Sequence, residues 1–585
     1  MTTATAATAA SGSGTASAGH GAAVAAPPEP SVGEEGRDRS ALLVGLTAYV
    51  AVLGLVVVLA LRQSEGHLIY VLDDPAIHQS MASHLVEDGT WGVEPGRFES
   101  ASSSPLWTTV LAGFIALAPV GDDAGPLVLN AVAALVVVAI LLQNQAVLRP
   151  ARGRHADTLA VVAVVTVVLF LPGLTLVGME HVLHMALVLG AVVLVHRQGE
   201  GELVHWPRWL PYLLLVLATL TRLETAFVAA GIAVAALARS IDGWGPDGPA
   251  APWRRQSRQA ALVGLAASVP LTAVVVWTRL MGQGLLPNSV AAKSQPEPTA
   301  PPLYRAAIER FTADPLVAVV TVVLAMALVL AWRQPRRFVF PAVATVVAVA
   351  LHMALARIGW YERYQAYLVV LAVYAALQLI PEALALVRAR RPRASLAAIV
   401  VLALLPFCGT KLFLTVDSGL AVSDTYRQRY QAGRFLAEYY DGEAVATGEL
   451  GYVSLLHDGP ITDVLGLGDH EVLRERLATG RPDAAYWERL MAERGIEVVA
   501  VYPSTIGDET PEGWLLAGWW SLPRRTVTAF QPEFQFWATT PEALVELQDH
   551  LRRFTPELPG GIEVEINEEA AVEAAQLGNP EPPTP

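Results

Sequence analysis

Long blocks of apolar residues recur along the chain and are separated by short polar connectors. Many blocks approach the roughly 20 residues that a helix needs to cross a bilayer, and examples are residues 41–61, 126–148, 259–280, 338–356 and 395–414. A large soluble core would show alternating or amphipathic patterns instead. The pattern predicts a polytopic α-helical membrane protein. The composition agrees, because 53% of the 585 residues are hydrophobic and only 16% are charged.

Arginines indicate how this membrane protein is oriented, because positively charged loops mark the cytoplasmic side. They gather in four connectors: Arg149, Arg152 and Arg154; Arg239, Arg254, Arg255 and Arg258; Arg333, Arg336 and Arg337; Arg388, Arg390, Arg391 and Arg393. If all four connectors lie inside, an even number of helices must separate each pair. This arrangement predicts about eleven spanning helices in the plasma membrane, a cytoplasmic N-terminus and an extracytoplasmic C-terminal domain.

The requirement for an even number of crossings between connectors makes two local predictions. The apolar run 209–237 splits at Thr221-Arg222-Leu223-Glu224 into crossings near 208–220 and 223–238, with the charges at the outer surface. A single helix of about 29 residues with an arginine in mid-membrane is the alternative. The run 105–120 is short and begins with Pro105, so we expect an interfacial or re-entrant helix there.

The chain divides into a membrane part and an exported part. Residues 1–40 are predicted to be a disordered cytoplasmic tail, 41–414 the transmembrane domain with a first outer loop at 62–125, 415–565 the extracytoplasmic domain, and 566–585 a disordered acidic, proline-rich tail. Short apolar runs at 444–447, 461–465, 496–502 and 525–538 alternate with polar helices, which predicts an α/β or α+β domain.

Two further features of composition bear on that exported domain and on metals. Its aromatic cluster packs in a core, rests on the membrane interface or stacks on sugar rings; the members are Trp514, Trp519, Trp520, Phe534, Phe536 and Trp537. The single cysteine, Cys408, excludes an intramolecular disulfide and a cysteine-based metal cluster. His78 and His84 are six residues apart and share no helical face, which argues against a histidine metal site. A carboxylate-bound divalent cation stays open.

Under this topology, polar motifs converge on the outer side. They are Asp73-Asp74-Pro75 in the first loop, Gly178-Met179-Glu180-His181, Arg222 with Glu224, Leu286-Pro287-Asn288-Ser289-Val290-Ala291-Ala292-Lys293, and the turn 357–364 with Arg357 and Arg363. Charges near the hydrocarbon boundary usually face a cavity or one another. Acidic groups opposite arginine and lysine suit a substrate that is partly hydroxyl-rich and partly phosphate.

In this order the motifs resemble those of actinobacterial GT-C glycosyltransferases, and most closely the arabinofuranosyltransferases that use decaprenyl-phosphoryl arabinose. The family's paired Asp, Asn-Pro-Gly and Asn-Pro-Leu-Trp correspond to Asp73-Asp74, Glu94-Pro95-Gly96 and Ser104-Pro105-Leu106-Trp107. Its Thr-Arg-Pro-Glu-Gly corresponds to Thr221-Arg222-Leu223-Glu224-Thr225, and its Leu-Pro-Asn-Thr…Ala-Lys motif is the best kept. Gly448-Glu449-Leu450-Gly451-Tyr452 and Asp463-Val464-Leu465-Gly466-Leu467 resemble the start of the family's extracytoplasmic domain.

The resemblance implies a GT-C fold and transfer of a sugar, with arabinofuranose favoured, from a polyprenyl-phosphate donor to a cell-envelope glycan by inverting displacement. Asp73 or Asp74 would be the catalytic base. Arg222, Asn288, Lys293 and Arg363 would bind the donor phosphate, and Glu180, His181 and Glu224 would bind the acceptor or orient the base. The implied partners are the lipid-linked donor, the glycan acceptor and the bilayer, and no nucleic acid.

Simpler interpretations stand beside these assignments. Asp73-Asp74-Pro75 is also a good helix start signal. Arg222 and Glu224 are alternatively interpreted as a structural ion pair at a helix junction. Glu180 is alternatively a solvated turn residue, and Lys293 a side chain that extends to lipid headgroups. At the level of function, the alternatives are a transporter, which should show repeats or polar breaks near mid-membrane, and a non-catalytic scaffold for envelope assembly.

Overall fold

A computed structural model describes residues 32–118, 122–144, 166–200, 206–241, 252–293, 303–331, 339–390 and 396–570, together with Leu159 and Val162. The helices that precede the C-terminal domain, numbered in chain order, are α1 (Val32–Gln63), α2 (Asp74–Glu87), α3 (Pro105–Leu117), α4 (Gly125–Asn144), α5 (Leu171–Val177), α6 (His181–Glu200), α7 (Leu210–Thr221), α8 (Thr225–Ala238), α9 (Trp253–Leu280), α10 (Asn288–Lys293), α11 (Leu303–Ala313), α12 (Pro315–Ala331), α13 (Val339–Leu355), α14 (Ala366–Arg390) and α15 (Leu396–Thr425).

Several of these helices are candidates to cross a membrane. Within the described residues, parts of α1, α4, α6 and α9 are long and apolar enough by length and composition, at Leu42–Gln63, Gly125–Gln143, His181–Glu200 and Trp253–Leu280. Shorter apolar helices include α3, α7, α8 and α13. The chain is therefore largely helical with several candidate membrane helices. The count of eleven stays a prediction, and so does the inside position of the connectors, several of whose arginines lie outside the described residues.

The predicted break in the apolar run 209–237 is confirmed. Helix α7 ends at Thr221, and α8 begins at Thr225. Between them Arg222 takes an extended backbone conformation, with φ −153° and ψ 135°. The alternative of one continuous helix is therefore wrong. Helix α3 has 13 residues, about 20 Å at 1.5 Å per residue, which is short for a crossing, although its position relative to the bilayer stays a prediction.

The C-terminal domain is mixed α/β, as predicted. Its strands are β1 (Val445–Thr447), β2 (Ile461–Asp463), β3 (Val498–Val501), β4 (Leu515–Ser521), β5 (Glu533–Ala538) and β6 (Glu563–Ile566), and its helices are α16 (Gln431–Tyr439), α17 (Leu450–Leu456), α18 (His470–Thr479), α19 (Ala484–Arg494), α20 (Pro503–Ile506) and α21 (Pro541–Phe554). The sheet order is β2-β1-β3-β5-β4-β6. Strand β1 is parallel to β2 and β3, and the other pairs are antiparallel.

Both faces of this sheet are covered, which explains most of the aromatic cluster. Trp520, Phe534 and Phe536 are fully buried in one core together with Phe435 of α16 and Phe554 of α21. Trp514 lies in the core on the other face, against α19. Trp519 and Trp537 are partly buried. Core packing, the first interpretation of these aromatics, is therefore right for the four most buried members.

A nearly unbroken helical rod joins the membrane part to this domain. Helix α15 runs into a π-helical turn at Tyr426–Tyr430 and then into α16, without a gap from Leu396 to Tyr439. Asp424, at the end of α15, accepts hydrogen bonds from the backbone N–H groups of Val527 and Thr528 in the β4–β5 loop. In addition, Ile77, Met81 and Val93 of the first outer loop are part of the same hydrophobic core as the sheet.

Candidate functional site

Asp73 connects the first outer loop to the C-terminal domain. It precedes α2, but its side chain does not cap that helix, so the helix-start interpretation does not account for the carboxylate. Its Oδ2 instead accepts the N–H of Gly451 at 2.5 Å, and its Oδ1 accepts the N–H of Tyr452 at 3.0 Å. These donors are at the start of α17, where backbone N–H groups have no partner within the helix. The Asp73 side chain is therefore held on both oxygens.

Only glycine fits opposite Asp73. A Cβ on Gly451 would lie 2.1 Å from the Asp73 carbonyl oxygen and 2.6 Å from its Oδ2. Both distances are far below van der Waals contact. The sequence Gly-Glu-Leu-Gly-Tyr thus provides a close approach of backbone to carboxylate that any larger side chain would block.

Asp74 faces a different partner. Its two carboxylate oxygens accept hydrogen bonds from Nη1 and Nη2 of Arg363, at 3.1 and 3.4 Å. This forked geometry fixes the plane of the carboxylate. The side chain of Asp74 is 22% exposed, whereas that of Arg363 is buried. The Asp74 carboxylate is therefore oriented by Arg363 and still partly reaches the solvent.

A second acidic group, Glu449, comes from the C-terminal domain. Its Oε2 accepts a hydrogen bond from Nε of Arg429 at 2.8 Å, and Arg429 also donates to the carbonyl oxygen of Thr528 at 3.0 Å. Burial raises the pKa of Glu449 to about 7, against the opposite effect of Arg429 and with a further rise from Asp73. Burial likewise raises the pKa of Asp73, while Arg429 and the two N–H donors act to lower it.

These groups line a cavity of about 420 Å³, which we call the carboxylate cavity. A second cavity of about 240 Å³, the Arg222 cavity, is lined by residues that include His181, Arg222, Glu224 and Ser289. Arg357, Arg363 and Tyr364 line both cavities. The loop between α13 and α14, which carries these three residues, therefore lies where the two cavities meet.

Four of the sequence-predicted site residues lie together beside the Arg222 cavity. Arg222 Nη1 lies 2.6 Å from Glu180 Oε1 and 2.9 Å from His181 Nε2, and Arg222 Nη2 lies 2.5 Å from Glu224 Oε1. Glu180 and His181 are buried. One guanidinium group thus faces two carboxylates, which neutralise its charge. This geometry matches the structural ion pair and leaves little positive charge at Arg222 for a phosphate.

The structure describes the side chain of Asn288 but not that of Lys293. Asn288 is buried, its Nδ2 donates to Glu99 Oε2 at 3.2 Å, and its Oδ1 pairs with His470 Nδ1 at 3.0 Å. Both ends of its amide are therefore engaged between the first outer loop and α18. Lys293 ends α10, and its side chain lies outside the described part of the chain. A role of either residue at phosphate stays a prediction.

Sequence reasoning did not assign a role to Arg357, although it noted this residue in the turn 357–364. The Arg357 side chain is exposed and lines both cavities. Among the described residues, no carboxylate lies within ion-pair distance of its guanidinium. Glu449 and Arg429 were missed as well. The only available signal for Glu449 was its place in the motif that begins the C-terminal domain.

The loop that holds Arg357 and Arg363 has a strained backbone. Trp360, Tyr361 and Glu362 have consecutive positive φ angles of 45°, 60° and 63°. Such a conformation costs residues with side chains on the order of 1 kcal/mol each, so the surroundings must enforce it. The Tyr361 hydroxyl pairs with Ser418 Oγ at 2.9 Å, and Glu362 forms an ion pair with Lys411. Strain of this kind is concentrated at functional sites.

The described residues contain no group of three or more His, Cys, Asp or Glu side chains arranged to hold a metal ion. His78 Nδ1 lies 3.1 Å from Thr108 Oγ1, and His84 Nδ1 lies 3.2 Å from the Gly92 carbonyl oxygen. The two histidines therefore have separate partners. The sequence-based possibility of a carboxylate-bound divalent cation stays open.

The fold and the site together define a multi-helix protein with candidate membrane helices, a C-terminal mixed α/β domain and a charged site between them. Residues 420–539 match the model of a domain of unknown function, DUF8728. No curated protein matches the chain. The matched segment starts near the end of α15 and ends after β5, so it covers most of the sheet and Glu449.

Solved structures of one archaeal enzyme are distantly similar to most of the chain. The oligosaccharyltransferase AglB from Archaeoglobus fulgidus, in complex with an inhibitory peptide and a dolichol-phosphate, is 13% identical, with 81% of this chain and 73% of that chain covered and a TM-score of 0.42. Its apo form is 13% identical, with 87% and 78% covered and a TM-score of 0.42. A form tethered to an acceptor peptide gives a TM-score of 0.44 at 13% identity, with 81% and 73% covered. The similarity at this level concerns the fold alone.

Proposed function

We propose that this chain is a membrane glycosyltransferase that moves a sugar from a polyprenyl-phosphate donor to a cell-envelope glycan on the extracytoplasmic side. The observation that carries the proposal is the junction of the two cavities, where Asp74 and two arginines, Arg357 and Arg363, lie together. A base beside a phosphate-binding cation is what displacement of a sugar from a lipid phosphate requires. The motif resemblance makes arabinofuranose the favoured sugar.

The reaction is a single displacement at the anomeric carbon. An acceptor hydroxyl oxygen forms the new bond to that carbon, and its proton passes to a carboxylate. The bond from the anomeric carbon to the phosphate oxygen breaks, and its electron pair leaves with the phosphate. The product is a polyprenyl monophosphate, whose second pKa near 6 allows departure without a strong general acid. Attack opposite the leaving group inverts the configuration of the sugar.

The surroundings of the two aspartates favour Asp74 as the base. Asp73 is 8% exposed, and both of its oxygens accept backbone N–H groups from α17. Asp74 is more exposed and is oriented by Arg363. In this proposal Asp74 takes the proton, and Asp73 positions it by fixing the start of α2 against the C-terminal domain.

The donor phosphate is proposed to bind at Arg357, whose side chain is exposed and lines both cavities. Arg222 contributes less than its motif implies, because Glu180 and Glu224 already neutralise it. His181 and Glu224 would then shape the Arg222 cavity and the buried Glu180 would hold Arg222, rather than bind the acceptor directly. An exposed guanidinium pairs readily with phosphate, and the pair strengthens as water is excluded.

Transfer in membranes tests this proposal. Membranes containing the wild type, Asp74→Asn or Asp73→Asn at matched expression would receive radiolabelled polyprenyl-phosphoryl arabinose or mannose, and label in glycan would be counted. Asp88→Asn is the matched control, because Asp88 ends the same helix at the exposed surface. We expect a loss of at least a hundredfold for Asp74→Asn, a loss for Asp73→Asn that accompanies lower stability, and no change for Asp88→Asn. Full transfer by both Asp73→Asn and Asp74→Asn would overturn the site assignment.

A further inference from the structure

Two aromatic rings stand at the rim of the carboxylate cavity. Trp360 and Phe530 both line it, and they are 44% and 60% exposed. Their ring centroids are 6.4 Å apart, with the planes inclined by 54°. Trp360 belongs to the loop between α13 and α14, and Phe530 to the β4–β5 loop of the C-terminal domain. The rim is therefore built jointly by the two parts of the chain.

The exposure of this pair is imposed by the structure. Trp360 opens the run of three positive φ angles, and neighbouring side chains hold the residues after it. Phe530 has Tyr502 behind it, at a ring-centroid distance of 6.1 Å. A backbone enforced in an unfavourable conformation that leaves a tryptophan ring in solvent suggests that something covers this ring.

The wall behind the rim is polar but balanced in charge. Three carboxylates face three guanidinium groups in the carboxylate cavity, and the six residues are Asp73, Asp74, Glu449, Arg363, Arg429 and Arg476. The formal charges of these six side chains sum to zero, and Arg357, the remaining charged residue of the lining, is assigned to the donor phosphate. A cavity of about 420 Å³ lies within the range of roughly 300–1,000 Å³ typical of small-ligand sites.

We propose that the carboxylate cavity with its Trp360–Phe530 rim is the acceptor subsite and that it binds a neutral saccharide. The C–H faces of sugar rings lie against aromatic rings, and the hydroxyls bind carboxylate and guanidinium groups. Glu449 accepts hydroxyl hydrogens on the C-terminal side of the cavity, and Asp74 faces the hydroxyl that reacts. An acyl chain would offer no hydrogen-bonding group to these charged side chains, which is unfavourable. The inference rests on the proposed function, because it places the acceptor beside Asp74.

Binding to the purified full-length chain in nanodiscs tests this subsite without requiring transfer. One probe is a set of arabinofuranose and mannopyranose hexasaccharides, the second a neutral polar peptide of similar mass, and the third a short-chain polyprenyl monophosphate. The variants are Trp360→Ala and Phe530→Ala. Trp209→Ala is the matched control, because Trp209 is 59% exposed and is not among the residues that line either cavity.

We expect at least one hexasaccharide to bind the wild type, and each rim variant to weaken it tenfold or more. Binding of polyprenyl monophosphate should stay within twofold, and Trp209→Ala should change neither affinity. If both rim variants bind the saccharide with the affinity of the wild type, the subsite is overturned. Binding of the peptide but of no saccharide would overturn it as well. If Trp209→Ala loses as much saccharide affinity as the rim variants, the aromatic rings act by anchoring the chain in the membrane, and the subsite is overturned. Saccharide binding by a chain that binds no polyprenyl monophosphate would support the subsite and refute the proposed donor.

Discussion

Asp73 and Asp74 are adjacent in the chain, yet their carboxylates face different partners. Asp73 binds backbone N–H groups of α17, and Asp74 binds the guanidinium of Arg363. The difference arises because Asp73 precedes α2 whereas Asp74 is its first residue, so successive side chains point about 100° apart around the helix axis. Asp74, which the proposed mechanism uses as the base, is thereby the more exposed of the two, while Asp73 joins two parts of the chain.

Gly451→Ala tests the positioning role of Asp73. The new Cβ would overlap Asp73 at 2.1 Å from its carbonyl oxygen, which must push α2 away from α17 and cost about 1–3 kcal/mol, as overpacking does. We expect a lower thermal unfolding temperature and a loss of sugar transfer. Gly513→Ala is the control, since a Cβ there meets nothing within 4 Å. A Gly451→Ala chain with wild-type stability and transfer would show that the Asp73–α17 contact is dispensable.

Arg222 and Arg357 should respond differently to substitution by alanine. Arg222→Ala leaves the carboxylates of Glu180 and Glu224 without their cation in a buried site, which typically costs about 3–5 kcal/mol. Arg357→Ala removes an exposed side chain, so the change in stability should stay within about 0.5 kcal/mol, while the affinity for polyprenyl monophosphate falls tenfold or more.

Thermal unfolding and lipid-phosphate binding, measured on the same preparations, separate the two roles. Adding Glu180→Gln and Glu224→Gln to Arg222→Ala should restore part of the lost stability, because the buried negative charges are removed with the cation. If Arg222→Ala instead keeps its unfolding temperature and loses lipid-phosphate binding, Arg222 is the phosphate ligand.

At the scale of elements, helices and strands with a local sequence signal could be predicted. Contacts between residues distant in the chain could not. The break at Arg222–Glu224 followed from the even number of crossings required between arginine-rich connectors, and strands β1, β2 and β3 followed from short apolar runs. The predicted run 525–538 holds a strand only at Glu533–Ala538. Strand β4 (Leu515–Ser521) was missed, because its tryptophans were interpreted only as part of an aromatic cluster.

In the candidate site too, the sequence motifs did not predict which residues contact one another. The motifs around Asp73, Arg222 and Arg363 come together at the two cavities, but no local pattern reveals which carboxylate neutralises which arginine. Asp73 and Gly451 are 378 residues apart in the chain, and their contact depends on how two domains pack. Asn288 is similar, because its motif predicted a ligand and the structure places it between Glu99 and His470.

We expect the junction between the first outer loop, α10 and α18 to make stability depend on pH. Burial raises the pKa of Glu99 to about 7 from its ordinary value of 4.5, against the opposite effect of Arg97. Gln283 Nε2 and Asn288 Nδ2 donate to its Oε2, and Asp469 and Glu94 add negative charge nearby. Because the folded chain binds this proton more tightly, the stabilising contribution is complete below about pH 4.5 and is lost as pH rises through 7.

The free energy of unfolding should therefore fall less between pH 5 and 7 in Glu99→Gln than in the wild type, by an amount on the order of 1 kcal/mol. The unfolding temperature, measured across this pH range, should decline less steeply. The slope should not vanish, because burial also raises the pKa of Glu449 to about 7 and that of Asp463 to about 6. Glu497→Gln, at an exposed position of the C-terminal domain, is the control and should leave the profile unchanged. A profile for Glu99→Gln that matches the wild type would exclude this junction as the source.

At the scale of the whole molecule, the site exists only when both parts of the chain are present. Asp74 and Arg363 come from the membrane part, whereas Glu449, Gly451 and Phe530 come from the C-terminal domain. The helical rod from Leu396 to Tyr439 and the contacts of Asp424 with the β4–β5 loop fix one part relative to the other. Both must then lie on the same side of the membrane, and the arginine pattern predicts that this is the outer side.

Cysteine labelling in intact cells tests that side directly. The chain has one cysteine, so Cys408→Ser provides a background without thiols. Asp458→Cys places a thiol at an exposed position of the C-terminal domain, and Arg154→Cys places one in the first arginine-rich connector. A membrane-impermeant maleimide should label the first variant in intact cells and the second only after permeabilisation. The reverse pattern would put Asp74 on the cytoplasmic side, where sugar nucleotides are soluble and a lipid-linked donor is unnecessary, and would thereby remove the chemical reason for the proposed donor.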